Sequence, residues 1–268
     1  MGTAVSLFSQ ARKSGGSEYA LKRDSAISEV ALELLPTSFT DNPLTLVEAD
    51  QVLPRQRSER LSRVLNVVVA GLALIIVAPI MLLIAVAVRL TSKGPILYSQ
   101  IRVGVDRRWR SADIYDRRSY DHGGRLFTMY KFRSMRVDAE ADGKAVWAQQ
   151  SDPRTTPIGR FLRKTRLDEL PQLYNVLRGD MNIVGPRPER PTIFAQLRDD
   201  IPQYAMRQRV KPGITGWAQI NQAYDSCIDD VKNKVRYDLE YVRCQSLTHD
   251  LRIMSMTLPV MLFRKGGW

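Results

Sequence analysis

Asp168 and Glu169 are adjacent carboxylates at the end of a basic run formed by Arg160, Arg163, Lys164 and Arg166. Leu167 and Leu170 flank the pair, so the local surface is not simply polar. Downstream, Val184-Gly185-Pro186-Arg187-Pro188-Glu189-Arg190-Pro191 packs three prolines and a glycine into eight residues. Such a segment makes a stiff, extended turn, and it presents Arg187 at a fixed place. A rigidly held guanidinium is a good fork for phosphate oxygens. Carboxylates beside arginines suit phosphoryl transfer, because the phosphates need neutralising cations. A Mg2+ ion needs only one or two carboxylates plus substrate oxygens. An aspartate is ionised at neutral pH, kept so by nearby arginines, and can attack phosphorus without a general base. The same residue types also fit a solvated charged helix, and on their own they leave both readings open.

The elements that must position these residues follow from periodicity. Between Ile158 and Leu177, apolar residues recur at three and four (Phe161, Leu162, Leu167, Leu170, Leu173, Tyr174, Leu177), which predicts helix interrupted at Pro171. Phe127 to Phe132 has strand propensity. Asp229 to Val242 predicts a further helix. Met254 to Phe263 is apolar and ends in Arg264-Lys265, which fits either a second membrane-touching helix or a core helix. Lys93-Gly94-Pro95 predicts a turn opening the soluble body. Lys131-Phe132-Arg133-Ser134-Met135 mixes basic and aromatic residues, and Val210 to Trp217 is a loop bounded by glycines; each suits a ligand contact or ordinary structure. Neither a Walker-type loop nor Gly-x-Gly-x-x-Gly occurs, which argues against a P-loop kinase or a Rossmann enzyme.

From Val64 to Val88 no residue is charged. A helix needs roughly 20 apolar residues to cross a bilayer, and a core helix of this length would show a polar face. Both flanks are basic: Arg55, Arg57, Arg60 and Arg63 before the run, Arg89 and Lys93 after it. The positive-inside rule wants such flanks on the cytoplasmic side, and a single crossing satisfies only one of them. Pro79 interrupts the run, removing a backbone donor and clashing with the preceding turn. A kink there lets the segment dip into one leaflet and return, with both basic ends on one anionic surface. The rival is a kinked true span with an exported N-terminal tail.

The 268 residues carry forty Lys and Arg against twenty-eight Asp and Glu, a net charge of +12. That excess points to a polyanionic partner: nucleic acid, an anionic membrane face or a phosphate-bearing substrate. The two cysteines (Cys227, Cys244) and two histidines (His122, His249) are not at metal-ligand spacing, so neither a zinc site nor a disulfide framework is expected, and a reducing, cytosol-facing body is. The first twenty residues hold no apolar run, so no signal peptide is expected. Residues 1–52 read as a flexible tail with one short helix near Leu32, Leu34 and Leu35. Residues 53–92 read as a membrane-anchoring helix with basic flanks, and 93–268 as a cytoplasmic catalytic domain. The expected fold class is α+β, mostly helical, with a re-entrant N-terminal membrane helix and a small β element.

Six ordered motifs carry a resemblance: Lys93-Gly94-Pro95, Gln100-x-Arg102-x-Gly104, Lys131-Phe132-Arg133-Ser134-Met135, Leu167-Asp168-Glu169-Leu170-Pro171-Gln172, Gly185-Pro186-Arg187-Pro188 and Lys211-Pro212-Gly213-Ile214-Thr215-Gly216. From about Arg60 to the C-terminus the chain resembles the bacterial sugar transferases, monotopic polyprenyl-phosphate hexose-1-phosphate transferases that initiate exopolysaccharide and O-antigen synthesis. The resemblance implies transfer of hexose-1-phosphate from a UDP-sugar to undecaprenyl phosphate, with UMP released, at the bacterial inner membrane. It implies Asp168 as nucleophile, Glu169 as its partner acid, and Mg2+ held by Asp168 and Glu169. Arg163 and Arg187, with Pro186 and Pro188 framing the latter, match phosphate-binding positions. Lys131 and Arg133 match a basic strand near the site, and Pro79 matches the kink of a re-entrant helix. Inner-membrane lipid is an implied partner, a homo-oligomer and downstream glycosyltransferases are further candidates, and nucleic acid is not expected. Two positions depart from the family pattern. Ala78 stands where serine often precedes the proline, and the basic stretch from Gly104 to Phe127 is longer than usual. Competing readings are a basic membrane-surface binding protein and an enzyme with an acetamido-sugar donor. Glucose or galactose is the expected sugar.

Overall fold

A computed structural model describes residues 52–108, 121–139, 152–222 and 227–263. The short helix expected near Leu32 and the middle of the basic stretch, 109–120, lie outside the described residues.

Helix α1 (Glu59–Thr91) is the apolar run with one turn added at its N-terminal end. The Ser58 hydroxyl accepts a hydrogen bond from the Leu61 amide, and Glu59 and Arg89 complement the helix dipole at opposite ends. At 1.5 Å per residue its 33 residues run about 50 Å. By length and composition it is able to cross a membrane, and it is the only such helix among the described residues. Much of its middle is exposed among the described residues: Ile75 and Ile76 are 74% and 73% exposed, and Leu82 and Leu83 scarcely less. Pro79 lies on this exposed middle.

Both ends of α1 pack on the same body. Near the start, Ser62, Asn66 and Ala70 are buried. The Asn66 carbonyl oxygen accepts from the Ile183 amide at 2.6 Å, and its amide donates to the Ser62 carbonyl at 2.7 Å. Arg63 donates to the carbonyls of Val176 and Leu177, each at 2.5 Å. Toward the other end, Ile84 and Val88 join Phe132 and Leu162 in an apolar cluster. Arg57, just ahead of the helix, pairs with Asp250 at 2.6 Å. Arg57 and Arg63, expected on the membrane surface with the other flanking arginines, therefore turn inward. Buried carbonyls and a buried carboxylate compete successfully for them.

Among the described residues the β element is two small sheets rather than one. Strand β1 (Leu97–Val103) pairs antiparallel with β2 (Leu126–Phe132), Leu97 opposite Phe132. Strand β3 (Asn182–Val184) runs parallel to β4 (Gly213–Thr215). The helical stretch between Ile158 and Leu177 breaks earlier than Pro171. Helix α2 (Pro157–Lys164) ends at Thr165, and Arg166 takes a left-handed conformation at φ 59°. A 3-10 turn (Leu167–Glu169) follows, then α3 (Gln172–Arg178), with Pro171 at its N-cap. Proline is tolerated there because the first amides of a helix have no intrahelical partner. Gly159 in α2 lets that helix lie against the backbone after β2, since a Cβ would stand 1.8 Å from the Ser134 carbonyl oxygen.

The rest of the body is α4 (Pro191–Asp200), a 3-10 segment (Tyr204–Arg209), α5 (Trp217–Asn221), α6 (Ile228–Cys244) and α7 (Leu247–Phe263). Helix α6 buries Val231, Val235, Leu239 and Val242, the three-and-four spacing of an amphipathic helix. Helix α7 includes the apolar C-terminal stretch. Its earlier part packs on the body through buried Ile253, and the Thr257 hydroxyl meets that of Thr215 at 2.9 Å.

Candidate active site

The site is built where the α2–α3 break meets β2 and the proline-rich turn. Left-handed backbone costs a non-glycine residue roughly 1–2 kcal/mol. At Arg166 it reverses the chain, so that the next residues fold inward rather than continue α2. Asp168 and Glu169 are consequently buried, each 7% exposed. Strand β2 is fixed to α3 by one side chain: Asn175 accepts from the Tyr130 amide at 3.1 Å and donates to the Thr128 carbonyl at 2.7 Å. That lock places Lys131, next along the strand, 3.1 Å from a Glu169 oxygen. Arg187 reaches the same carboxylate with both terminal nitrogens, at 2.5 and 3.3 Å. Arg166 stands 3.9 Å away.

The two carboxylates therefore differ. Glu169 is enclosed by cations, while among the described residues no hydrogen bond reaches the carboxylate of Asp168. Burial alone would raise the Glu169 carboxyl; Arg187 and Lys131 more than offset it and hold the group well below the usual range. At Asp168 burial prevails. Its pKa is pushed up to about 6, with Lys131 lowering it, Glu169 raising it, and Arg187 and Arg163 lowering it. The arginines thus do not keep Asp168 at an ordinary carboxylate value as expected, though at pH 7 most of it is still ionised. Burial pulls the Lys131 ammonium down, and Glu169 opposes that pull.

The structure brings Lys131, Asp168, Glu169 and Arg187 together, with Arg163 in the last turn of α2 acting on Asp168 through space. The carbonyls of Pro186 and Pro188 accept from the Gly213 amide at 2.9 Å and the Arg102 guanidinium at 3.0 Å, fixing the turn that carries Arg187. Arg133 stands apart. It is 5% exposed and donates to the Ser92 carbonyl and hydroxyl, at 2.8 and 2.6 Å, where α1 ends. Gly94, at φ 117°, makes room for it; a Cβ there would lie 2.2 Å from an Arg133 nitrogen. Among the described residues, the hydrogen bonds of Arg133 thus cap the end of α1 and do not reach the carboxylate pair. No group of three or more His, Cys, Asp and Glu side chains gathers among the described residues.

An apolar groove of about 580 Å3 is lined by Met81 and Ala85 of α1, Ile96, Phe132, Pro171 and Tyr174. Tyr130 also lines it, its ring 5.9 Å from that of Tyr174. Tyr130 and Phe132 share one face of β2 and Lys131 is on the other, so the groove and the Glu169 cluster are built on the two faces of one strand, and Pro171 on the groove wall is two residues beyond Glu169.

A family profile described as bacterial sugar transferase matches residues 57–264. The chain belongs to this family. Among relatives, an Escherichia coli (strain K12) UDP-glucose:undecaprenyl-phosphate glucose-1-phosphate transferase is 42% identical over 200 residues, 74% of this chain and 39% of that protein. An Aeromonas hydrophila UDP-N-acetylgalactosamine-undecaprenyl-phosphate N-acetylgalactosaminephosphotransferase is 38% identical over 216 residues, 81% and 47% of the two chains. A Caulobacter vibrioides UDP-glucose:undecaprenyl-phosphate glucose-1-phosphate transferase is 36% identical over 232 residues, 83% and 80% of the two. The chain thus spans less than half of the first two and most of the third. In this bacterial sugar transferase, sequence reasoning did not single out Arg166, Arg102 or Arg207 as site residues. Arg102 lay inside a recognised motif, whereas Arg207 meets its partner Asp238 only across 31 residues of chain, and no local pattern marks such a pair.

Proposed function

We propose that the protein transfers a hexose-1-phosphate from a UDP-sugar to undecaprenyl phosphate, releasing UMP, as an initiating membrane step of surface polysaccharide synthesis. The observation that carries this reading is the asymmetric carboxylate pair: Glu169 is paired with Lys131 and Arg187, while Asp168 is buried and takes no hydrogen bond among the described residues. An Asp168 oxygen attacks the β-phosphorus, the bond from that phosphorus to the UMP oxygen breaks, and UMP leaves with the electron pair. The resulting aspartyl phosphosugar is attacked at the same phosphorus by an oxygen of undecaprenyl phosphate, and the Asp168 carboxylate departs. Arg187 and Lys131 lie where the donor's phosphate charge needs compensation, and Arg163 adds to that field. The Asp168 oxygens, which take no hydrogen bond among the described residues, fit Mg2+, which needs few protein ligands and completes its shell from phosphate oxygens, while Glu169 would have to share its oxygens with Arg187 and Lys131. Asp168 and Glu169 would hold it, and it would supply charge neutralisation at the diphosphate.

The acceptor's chain is proposed to lie in the apolar groove, whose α1 wall is continuous with exposed Leu82 and Leu83. The anchor over 53–92 is proposed to be re-entrant, with a tail over 1–52 and a cytoplasmic catalytic domain over 93–268. Asn66 and Val88 are about 33 Å apart along an ideal helix, and both are buried on one body. A straight span would put them near opposite faces of a hydrocarbon core about 30 Å thick. A body bearing this many charges belongs on one side, so both ends returning to it supports a bend at Pro79.

The test is UMP release by protein purified in detergent or nanodiscs, with Mg2+, undecaprenyl phosphate and a panel of UDP-sugars that includes glucose, galactose and their acetamido counterparts. Release with one sugar, lost in Asp168→Asn, is expected. No release from folded protein with any donor would return the function to membrane-surface binding.

A further inference from the structure

Arg187 sits between two prolines, which have no amide hydrogen to donate, so its turn can be fixed from the main chain chiefly through carbonyls. Four consecutive carbonyls are held. Pro186 accepts from the Gly213 amide at 2.9 Å and Glu189 from the Val103 amide at 2.9 Å. Between them, Arg187 accepts from the Arg207 guanidinium and Pro188 from that of Arg102, both at 3.0 Å. The outer two bonds come from backbone, which almost any residue supplies. The inner two, at the carbonyls just C-terminal to the Arg187 side chain, come from arginine side chains.

Those two arginines are themselves fixed. The side chain of Arg207 is 0% exposed. It donates to Asp238 at 2.6 and 2.9 Å and to the Tyr204 hydroxyl at 2.8 Å. Glu189 lies 3.7 Å from Arg207 and 3.9 Å from Arg102, and takes Lys234 at 3.0 Å. Lys234 and Asp238 are one turn apart on α6, so one helix face closes the network. Burying this many charges is a poor way to gain stability, since well-packed apolar residues usually do as well or better. Ion networks of this kind are better explained by the geometry they impose.

We propose that Arg102 and Arg207, the latter set by Asp238, are positioning residues that aim the Arg187 guanidinium at the donor phosphate. This rests on the reading of Arg187 as a phosphate-binding group. Without the brace, the turn relaxes and the guanidinium loses its fixed approach, although Arg187 itself is unchanged.

The test is a double-mutant cycle on UMP release from UDP-sugar in nanodiscs, with enzyme raised until the slower background exceeds the no-enzyme control. Asp238→Asn and Arg102→Gln are each introduced into wild type, into Arg187→Ala and into Arg187→Lys. Unfolding midpoints show that the compared proteins are folded; if one brace variant does not fold, the other decides. A loss of about tenfold or more in kcat/KM for the donor in wild type is expected, shrinking to under about threefold when Arg187 is absent, with KM for undecaprenyl phosphate unmoved. Equal fractional losses in all backgrounds, or no loss in wild type, would overturn the brace. Arg187→Ala at wild-type activity would instead remove the phosphate-binding reading of Arg187, a separate failure.

Discussion

Two ionic clusters lie buried in the same body and use the same residue types, yet they are finished differently. Around Glu189 and Asp238, each carboxylate meets cations within 4 Å, and Arg207 spends its donors on Asp238, Tyr204 and the Arg187 carbonyl. Around Glu169, the cations converge on one carboxylate, and Asp168 beside it receives no hydrogen bond among the described residues. Both aspartates are pushed upward by burial, and both feel cations that pull them back. Only Asp238 also has its oxygen occupied by a guanidinium. Buried charge is therefore not itself the mark of a site. An ionisable oxygen left available inside a field of cations is.

The comparison breaks most sharply at Asp168. Asp168→Asn is expected to cut UMP release by on the order of 10^4-fold or more, as loss of a covalent nucleophile does. It is also expected to stabilise the fold. The native pKa of about 6 lies above an unfolded value near 3.8, so the folded state favours the proton and the charged form is penalised at any pH above both. About two pKa units correspond to roughly 3 kcal/mol at pH 7, a penalty relieved as pH falls from about 6 toward 4. Denaturant unfolding at pH 7 checks it; a destabilised Asp168→Asn would show that Asp168 is a structural ion-pair partner like Asp238.

Arg187→Ala comes next, with an expected loss of about 10^2 to 10^3-fold in kcat/KM, the usual cost of one preorganised donor at developing charge. In the closed cluster, the corresponding change should act on stability first. Asp238→Ala leaves Arg207 buried with reduced compensation and should cost about 3–5 kcal/mol in unfolding free energy. An effect under about 1 kcal/mol would mean the cluster is not closed in solution.

Smaller effects sharpen the same contrast. The kcat/KM for the donor should fall about tenfold per pH unit below a pH of about 6, as Asp168 takes up its proton, whereas Glu169, held low, stays charged through that window. A profile flat to pH 5 would remove Asp168 from the rate. Asn66→Leu strands the buried Ile183 amide and should destabilise by about 1–3 kcal/mol, which isolates the packing of α1 on the body from its exposed apolar middle. For the anchor itself, cysteines placed at residues 50 and 120 should both resist a membrane-impermeant label in intact cells. Labelling at 50 alone would favour a true span.

The sequence by itself determined the elements whose signals are local. An uncharged apolar run dictates α1, alternating strand formers dictate β2, and three-and-four spacing dictates α6. It also fixed the adjacency of Asp168 and Glu169, and the stiffness of the turn around Arg187, because proline acts on its own backbone. Tertiary structure alone decided the rest. The sequence placed the helix break at Pro171; the fold moved it to Arg166, since a proline at a helix start satisfies the backbone while left-handed Arg166 lets the carboxylates turn inward. The flanking arginines Arg57 and Arg63 read as membrane-facing, yet carbonyls and a carboxylate more than 100 residues away claim them. Arg133 shares its strand motif with Lys131, yet it caps the end of α1 while Lys131 meets Glu169. Charge type is written in the chain, but which charges meet depends on where distant segments are brought. Asp168 and Glu169 are equally buried, so the placement of Lys131 and Arg187 decides which of the two is neutralised.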